Sequence, residues 1–133
     1  MALVKMKKLL EQAETEGFGI GAFSVGNMEM IMGAVQAAEE LQTPIILQIA
    51  EVRLKNSPLE FVGPMMVSAA QKAKVDIAVH LDHGLTIETV KAALNMGFTS
   101  VMLDASTSPF EENISKTQEV VQLAKTFGAT VEA

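Results

Sequence analysis

The sequence has no cysteine, and it also lacks tyrosine and tryptophan. Without cysteine the chain can form no disulfide and can offer no thiolate as a nucleophile or metal ligand. No apolar run approaches the ~18 residues that a membrane span needs, and residues 1–17 contain no apolar core of a signal peptide. These absences predict a cytoplasmic protein with no membrane partner.

Positive charge is also scarce, since ten lysine and arginine residues face 16 aspartate and glutamate residues and leave a net charge of −6. Nucleic acids and anionic membranes both require a basic surface, so neither is expected as a partner. A small phosphorylated ligand is compatible with this charge because it needs only a local positive site. The 133 residues, 49% of them apolar, are enough for one domain with a core.

The chain alternates short apolar segments with amphipathic ones. Segments that are apolar throughout predict strands buried on both faces, and apolar residues at i, i+3 and i+4 predict helices between them. The predicted strands are 19–25, 45–50, 76–82, 99–105 and 130–133. The first helix is predicted at 4–15, and the helix after the predicted N-cap Asn27 carries an apolar stripe of Met28, Ile31, Met32, Val35 and Ala38.

Further residues mark helix ends. Thr86 is a predicted N-cap, and Gly97 suits a left-handed helix C-terminus. The segments SPLE (57–60) and SPFE (108–111) have the spacing of capping boxes. Gly63-Pro64 predicts a kink or a restart in the third helix.

Repeated strand–helix units predict parallel strands joined by right-handed crossovers. Two α/β architectures have this pattern, a doubly wound open sheet and a (β/α)8 TIM barrel. No G-x-G-x-x-G or G-K-[ST] loop follows the first strand, which disfavours a nucleotide-binding sheet. Because a barrel takes about 250 residues, we expect residues 1–133 to be the N-terminal part of a single barrel domain. That part holds strands 1–4 and the start of strand 5, and is incomplete at the C-terminus.

The third predicted strand ends in His80-Leu81-Asp82-His83-Gly84, where parallel α/β folds carry functional residues. His80 and Asp82 share a face because side chains alternate along a strand, and His83 falls at the turn. A neutral imidazole is a good zinc ligand, and a neighbouring carboxylate can move a proton on a metal-bound substrate. The alternative is that Asp82 caps the next helix and both histidines are packing residues, since zinc needs three or four ligands.

Other charged residues follow the neighbouring strands. Asp104 ends the fourth strand, where it could reach a second cation, orient His83 or cap the next helix, and Glu132 on the fifth strand is equally ambiguous. After the second strand, Arg53 and Lys55 could hold a phosphate or carboxylate, or could face solvent. All nine lysines lie outside the predicted strands, which weighs against a Schiff-base aldolase.

Together, VHLDHG (79–84), SVMLDAS (100–106), PFEENI (109–114) and the final VEA resemble the class II, zinc-dependent ketose-bisphosphate aldolases. GAFSV and PIILQ resemble the same family's opening, so the resemblance covers essentially the whole chain. It implies a (β/α)8 barrel, a homo-oligomer such as a dimer or tetramer, and a lyase of carbohydrate metabolism, including glycolysis. The implied reaction cleaves a ketose (bis)phosphate into dihydroxyacetone phosphate and an aldehyde through a zinc-stabilised enediolate.

By this resemblance Asp82 is the catalytic acid/base, His83 is a zinc ligand, and Asp104 is a ligand of a second, non-catalytic divalent metal. The remaining zinc ligands, the phosphate-binding loops and a monovalent-cation site are expected beyond residue 133. The 133-residue chain alone is therefore expected to be inactive.

The sequence departs from the family pattern where the substrate is expected. Ser24 stands in place of an Asn, Ala50 in place of a Ser that meets the aldehyde side of the substrate, Val52 in place of a Gly and Thr107 in place of a His. We expect Ser24, Ala50 and Arg53 to contact the substrate. The departures argue against fructose 1,6-bisphosphate as that substrate.

Two other hypotheses stay open from the sequence. One is a different metal-assisted sugar-phosphate enzyme, a hydrolase or an isomerase, on the same barrel. The other is a truncated half-barrel or degenerate relative that folds or associates with a partner but has no catalytic activity.

Overall fold

The computed structural model describes residues 2–133, in which five strands alternate with helices. The strands are β1 (Gly21–Ser24), β2 (Ile45–Ala50), β3 (Ile77–Gly84), β4 (Ser100–Leu103) and β5 (Thr130–Glu132). The α-helices are α1 (Met6–Glu16), α2 (Met28–Leu41), α3 (Leu59–Lys72), α4 (Ile87–Asn95) and α5 (Phe110–Phe127). A short 3-10 helix, Glu51–Arg53, follows β2.

The five strands form one sheet in the order β1-β2-β3-β4-β5, and every neighbouring pair is parallel. This confirms the predicted α/β class and the predicted neighbour relations. A doubly wound sheet places a later strand on the far side of the first one, and no such jump occurs among residues 2–133. The carboxyl ends of all five strands therefore lie along one edge of the sheet.

The two faces of the sheet bury different helices. Alternate residues of β2 and β3, such as Leu47 and Val79, belong to a large core cluster that also contains residues of α2, α3, α4 and α5. On the other face, Ile46 and Ala78 pack with Met6 and Leu9 of α1. Helix α1 thus covers this second face near the starts of the strands. Further along the strands, Gln48 and Asp82 on this face are half-buried.

The predicted helix signals are confirmed at several positions. Asn27 Oδ1 accepts a hydrogen bond from Met30 N at 2.8 Å, and Thr86 Oγ1 accepts one from Thr89 N at 3.1 Å. Gly97 has a φ of +93°, in the left-handed region that favours glycine. The sequence therefore positions α2 and α4 through side-chain caps.

Two helix predictions, the capping boxes of α3 and α5, are wrong. Neither proposed capping box forms, because Ser57 Oγ donates to Gly26 O at 2.6 Å and Ser108 Oγ lies 3.4 Å from Glu112 Oε1. Pro58 and Pro109 instead directly precede the first turns of α3 and α5, and neither helix has a side-chain cap. Of the two alternatives at Gly63-Pro64, the restart does not occur, because Pro64 lies inside one continuous helix, and the kink stays a prediction.

The predicted apolar stripe of α2 is only partly a core face. Ile31 and Ala38 are buried, whereas Met28 and Met32 are 52% and 60% exposed. The two methionines line a groove of about 470 Å³ beside Pro64 and Met65 of α3. Helical spacing placed all of these residues on one side of α2, but α3 covers only part of that side. No helix within residues 2–133 is both long and apolar enough to cross a membrane.

Candidate active site

Strand β3 continues two residues beyond its predicted end. An irregularity in its pairing with β4 lies among the polar residues at the carboxyl end of the strand. His80 pairs with Ser100 and Leu81 with Val101, but the next pair is Gly84 with Leu103. One extra residue on β3 therefore sits between Leu81 and Gly84, as in a β-bulge, which redirects side chains locally. His83 has a φ of +44° in the left-handed region, a conformation that is uncommon for residues other than glycine.

Gly84 allows β3 to lie close to β4 directly after this irregularity. A Cβ atom at Gly84 would lie 2.5 Å from the backbone oxygen of Met102. The Gly84 carbonyl also accepts a hydrogen bond from Asp104 N at 2.7 Å. Because Gly84 has no side chain, β3 and β4 can approach closely here. The hydrogen bond then holds the segment that carries His83 against the end of β4.

His83 and Asp104 are brought together by this arrangement. His83 Nδ1 lies 2.6 Å from Asp104 Oδ2, and Ser106 N donates to Asp104 Oδ1 at 3.0 Å. With Asp104 ionised, this network places the imidazole proton on Nδ1. His83 Nε2 lies 3.9 Å from Asp82 Oδ1, and the His83 side chain is 56% exposed. The Nε2 lone pair of the neutral ring is therefore available to a ligand.

The electrostatics of the pair follow from these contacts. Hydrogen bonds from Ser106, then from His83, lower the pKa of Asp104 from 3.8 to about 2. The hydrogen bond to Asp104, then the charge of Asp82, raises the pKa of His83 above its ordinary 6.5. Asp104 thus remains a carboxylate at neutral pH and fixes the orientation of the His83 ring.

The Asp82 side chain also lies at the carboxyl end of β3. It is hydrogen-bonded to Gln48, a residue that the sequence analysis did not identify. Its side chain is 18% exposed, and Oδ2 accepts a hydrogen bond from Gln48 Nε2 at 3.2 Å. The same Gln48 nitrogen donates to Ser24 Oγ at 3.2 Å, so one amide joins the ends of β1, β2 and β3. Gln48 is the one polar residue in IILQIA (45–50), a signal that could have identified it. Asp82 does not cap α4, because Thr86 does.

The three predicted substrate-binding residues lie around one cavity. Ser24, Ala50 and Arg53 line a space of about 310 Å³ together with Val25, Met30 and Val52. Ala50 pairs in register with Asp82 on the neighbouring strand, although Asp82 itself does not line this cavity. Lys55 is not among its lining residues.

His80 behaves as the packing histidine of the alternative hypothesis. It is buried, and its Nδ1 lies 2.9 Å from Ser100 Oγ. Its Nε2 lies 3.1 Å from Glu132 Oε2 but outside hydrogen-bonding geometry, which leaves this buried nitrogen without a hydrogen-bond partner. Burial lowers the pKa of His80, and the carboxylates of Glu132 and Asp82 oppose this shift. His80 is therefore not an open metal ligand.

A cavity of about 610 Å³ lies away from these residues. It is lined by residues 3–5, by α1, by the segment between α4 and β4, and by the end of α5. Lys5 and Lys7 lie there, but none of the strand-end residues named above does. We place the candidate active site at the carboxyl ends of the strands because the titratable groups converge there.

The metal-ligand set within residues 2–133 is incomplete. No group of three or more histidine, cysteine, aspartate or glutamate side chains in this part of the chain is placed to hold an ion. The donor that is available fits zinc, since His83 offers a neutral imidazole nitrogen whose other nitrogen is bound by a carboxylate. Residues 2–133 would therefore supply one zinc ligand, His83.

Comparisons with known proteins agree on one family. The class-II fructose-bisphosphate aldolase family model matches residues 4–133. The fructose-bisphosphate aldolase of Thermus caldophilus is 45% identical over 98% of this chain and 43% of its own length. The 6-phospho-5-dehydro-2-deoxy-D-gluconate aldolase of Halalkalibacterium halodurans is 40% identical over 100% of this chain and 47% of its own.

A solved structure gives the same result. The YdjI aldolase of Escherichia coli K12 superposes with a TM-score of 0.94 and 39% identity, over 98% of this chain and 51% of that chain. The chain thus spans about half the length of the relatives it matches. Its sequence and fold together show that this chain belongs to the class-II fructose-bisphosphate aldolase family.

Proposed function

We propose that the full-length protein is a zinc-dependent aldolase that cleaves a ketose phosphate into dihydroxyacetone phosphate and an aldehyde. We further propose that residues 1–133 form the first half of its (β/α)8 barrel. Family membership, the sequential parallel sheet and the half-length match support both statements. The observation that carries the proposal is the pair at the end of β3. The Asp82 carboxylate lies 3.9 Å from His83 Nε2, whose ring is fixed by Asp104.

His83 would bind zinc through Nε2, with the other ligands supplied from outside residues 1–133. Bound zinc would act as a Lewis acid that stabilises negative charge developing on the substrate's ketone oxygen. Asp104 was predicted as a ligand for a second divalent metal. Each of its two oxygens accepts one hydrogen bond, from His83 and from Ser106, so a second ion would have to share these oxygens with those contacts. Within this proposal Asp104 first orients His83.

Asp82 would carry the proton transfer. Cleavage breaks the bond between the ketone-side carbon and the carbon that becomes the aldehyde, and the hydroxyl on that second carbon must lose its proton. The Asp82 carboxylate would accept this proton as the C–C bond breaks, and would return it in the reverse reaction. The electron pair of the broken bond would stay on the ketone-side fragment, whose carbon would take up one proton from solvent or from a donor outside residues 1–133 before dihydroxyacetone phosphate is released. Gln48 holds Oδ2, which leaves Oδ1 as the oxygen directed towards His83 and the substrate.

The aldehyde half of the substrate would lie in the cavity lined by Ser24, Ala50 and Arg53. Ala50 has no hydroxyl to offer a phosphate, whereas the Arg53 guanidinium offers a positive charge at a different place in the cavity. One relative is named for a substrate that carries a single phosphate, 6-phospho-5-dehydro-2-deoxy-D-gluconate, so substrates differ within the family. We therefore propose a preference for a ketose phosphate other than fructose 1,6-bisphosphate. A monovalent cation and a dimeric or tetrameric assembly stay predictions from the resemblance.

The test is a retro-aldol assay on the zinc-loaded full-length protein with a panel of ketose mono- and bisphosphates. We expect release of dihydroxyacetone phosphate from at least one of them, detected by coupled reduction. A folded, zinc-bound protein that releases none, but isomerises or dephosphorylates a member of the panel, would favour another enzyme on the same barrel.

A further inference from the structure

Glu51 connects the end of β2 to the loop that follows β3, which begins two residues after His83. It is the first residue after β2, and its carboxylate crosses to the loop between β3 and α4. Oε2 accepts hydrogen bonds from Leu85 N at 2.5 Å and Thr86 N at 3.2 Å, and Oε1 accepts one from Thr89 Oγ1 at 2.8 Å. Thr86 Oγ1 also donates to Oε1, at 3.4 Å, so a single half-buried carboxylate accepts hydrogen bonds from two backbone amides and two hydroxyls at the start of α4.

These partners belong to the start of α4, where backbone N–H groups have no partner within the helix. The partial positive charge of a helix N-terminus favours a carboxylate at this place. Thr86 already caps the helix by accepting from Thr89 N. Glu51 is therefore not needed as the cap of α4. Its hydrogen bonds instead connect the segment after β2 to the loop after β3.

The hydrogen bonds of Glu51 lie beside His83, the residue with the strained backbone. His83 has a φ of +44°, and such a conformation persists only where the surrounding structure holds it. On one side, Gly84 lies close against β4 because it has no side chain, and its carbonyl accepts a hydrogen bond from Asp104 N. On the other side, Leu85 and Thr86 are held by Glu51. His83 thus lies directly beside a segment that is fixed from both neighbouring strands.

We infer that Glu51 is a positioning residue. By binding Leu85 and Thr86 it holds the left-handed backbone of His83, and through it the contact between the His83 ring and Asp104. The consequence for zinc binding and cleavage rests on the proposed function, whereas the effect on the backbone does not. Glu51 itself contacts neither metal nor substrate in this scheme.

The decisive comparison is between Glu51→Ala and Glu51→Gln in the full-length protein. Glutamine keeps an oxygen for the two amides and a nitrogen for Thr89, while alanine loses every contact. Glu39→Ala is the matched control, since Glu39 Oε1 also accepts a backbone N–H from a neighbouring loop, that of Lys74 at 2.9 Å. That contact lies at the opposite end of the sheet.

Three measurements are made on each variant: amide hydrogen exchange at Leu85 and Thr86, zinc affinity by chelator competition, and kcat against KM. In Glu51→Ala we expect faster exchange at both amides and a loss of zinc affinity of about 10–100-fold, the usual effect of removing a partner that orients a ligand. The variant's kcat should fall with little change in KM. Glu51→Gln and Glu39→Ala should retain nearly wild-type zinc affinity.

Unchanged zinc affinity in Glu51→Ala, despite faster exchange at the two amides, would overturn the inference. Glu51 would then stabilise the loop after β3 without positioning His83. If Glu51→Ala fails to fold, Thr89→Val removes one contact to the carboxylate and must then show a smaller loss in the same direction. A crystal structure of metal-free Glu51→Ala gives a test without zinc, because the inference requires φ at His83 or its distance to Asp104 to change. A wild type that binds zinc but cleaves no ketose phosphate would refute the proposed function alone.

Discussion

His83 Nδ1 lies 2.6 Å from Asp104 Oδ2, a contact that joins the ends of two neighbouring strands. Because Asp104 stabilises the protonated ring, we expect the pKa of His83 in the metal-free protein to exceed 6.5. Asp104→Asn should lower that pKa, as followed by NMR titration of the His83 ring protons. An identical titration in wild type and variant would show that the contact does not exist in solution.

The same pair gives a signed dependence of stability on pH. The raised pKa of His83 adds stability that is complete below 6.5 and is lost as pH rises through the raised value. The lowered pKa of Asp104 adds stability above 3.8 that is lost as pH falls towards about 2. In metal-free protein, the destabilisation caused by Asp104→Asn should therefore be largest between these limits and smaller above the His83 pKa. A difference that does not vary with pH would contradict this account.

Gly84→Ala should destabilise the protein, because the new methyl group would meet the Met102 carbonyl oxygen at 2.5 Å. Overpacking of this kind costs about 1–3 kcal/mol, measured as a lower free energy of unfolding in urea. Gly33→Ala is the control, since a side chain there meets nothing within 4 Å. That glycine lies inside helix α2, where alanine is favoured by about 0.5–1 kcal/mol. Equal effects of the two changes would argue against the close approach of β3 and β4.

Asp82→Ala should reduce kcat by about 10²–10⁴-fold, the usual contribution of a general acid/base. KM should change little, because the carboxylate acts on the proton rather than on the phosphate. Asp76→Ala is a suitable control, since Asp76 is a carboxylate that pairs with Lys8 away from the candidate site. A variant that loses only affinity would reassign Asp82 to substrate positioning.

Ala50→Ser tests the proposed substrate preference. Restoring a hydroxyl beside Asp82 should improve kcat/KM for fructose 1,6-bisphosphate by about 10–150-fold, since a hydrogen bond to a charged group contributes roughly 1.5–3 kcal/mol. The comparison includes tagatose 1,6-bisphosphate and several 1-monophosphates. If fructose 1,6-bisphosphate is already the best substrate by tenfold or more, and Ala50→Ser leaves its rate unchanged, the departures at Ser24, Ala50 and Thr107 are neutral.

The order and type of the elements could be predicted because apolar runs and helical spacing are local properties of the chain. The position of Asp82 and His83 at a strand end was predictable for the same reason. The extra residue between Leu81 and Gly84 was not, since strict alternation along β3 gives no sign of a bulge that depends on how β4 lies against it. Local rules also failed at Ser57, whose hydroxyl bonds to Gly26 O rather than to its own helix.

The role of Gln48 depended on tertiary structure as well. Its polarity within an apolar strand was visible, but its two partners, Ser24 and Asp82, come from different strands. The exposure of Met28 and Met32 likewise depends on which part of α2 is covered by α3. Local pattern thus gives the elements, and the contacts between them give the site.

The central claim is that cleavage depends on zinc held by His83. The most direct measurement is the zinc content and retro-aldol activity of the full-length protein, before and after exhaustive chelation, in wild type and His83→Ala. We predict that chelation abolishes activity, that added zinc restores it in the wild type, and that His83→Ala loses zinc and activity together. Full activity after exhaustive chelation, or a His83→Ala protein that keeps both zinc and activity, would contradict the account.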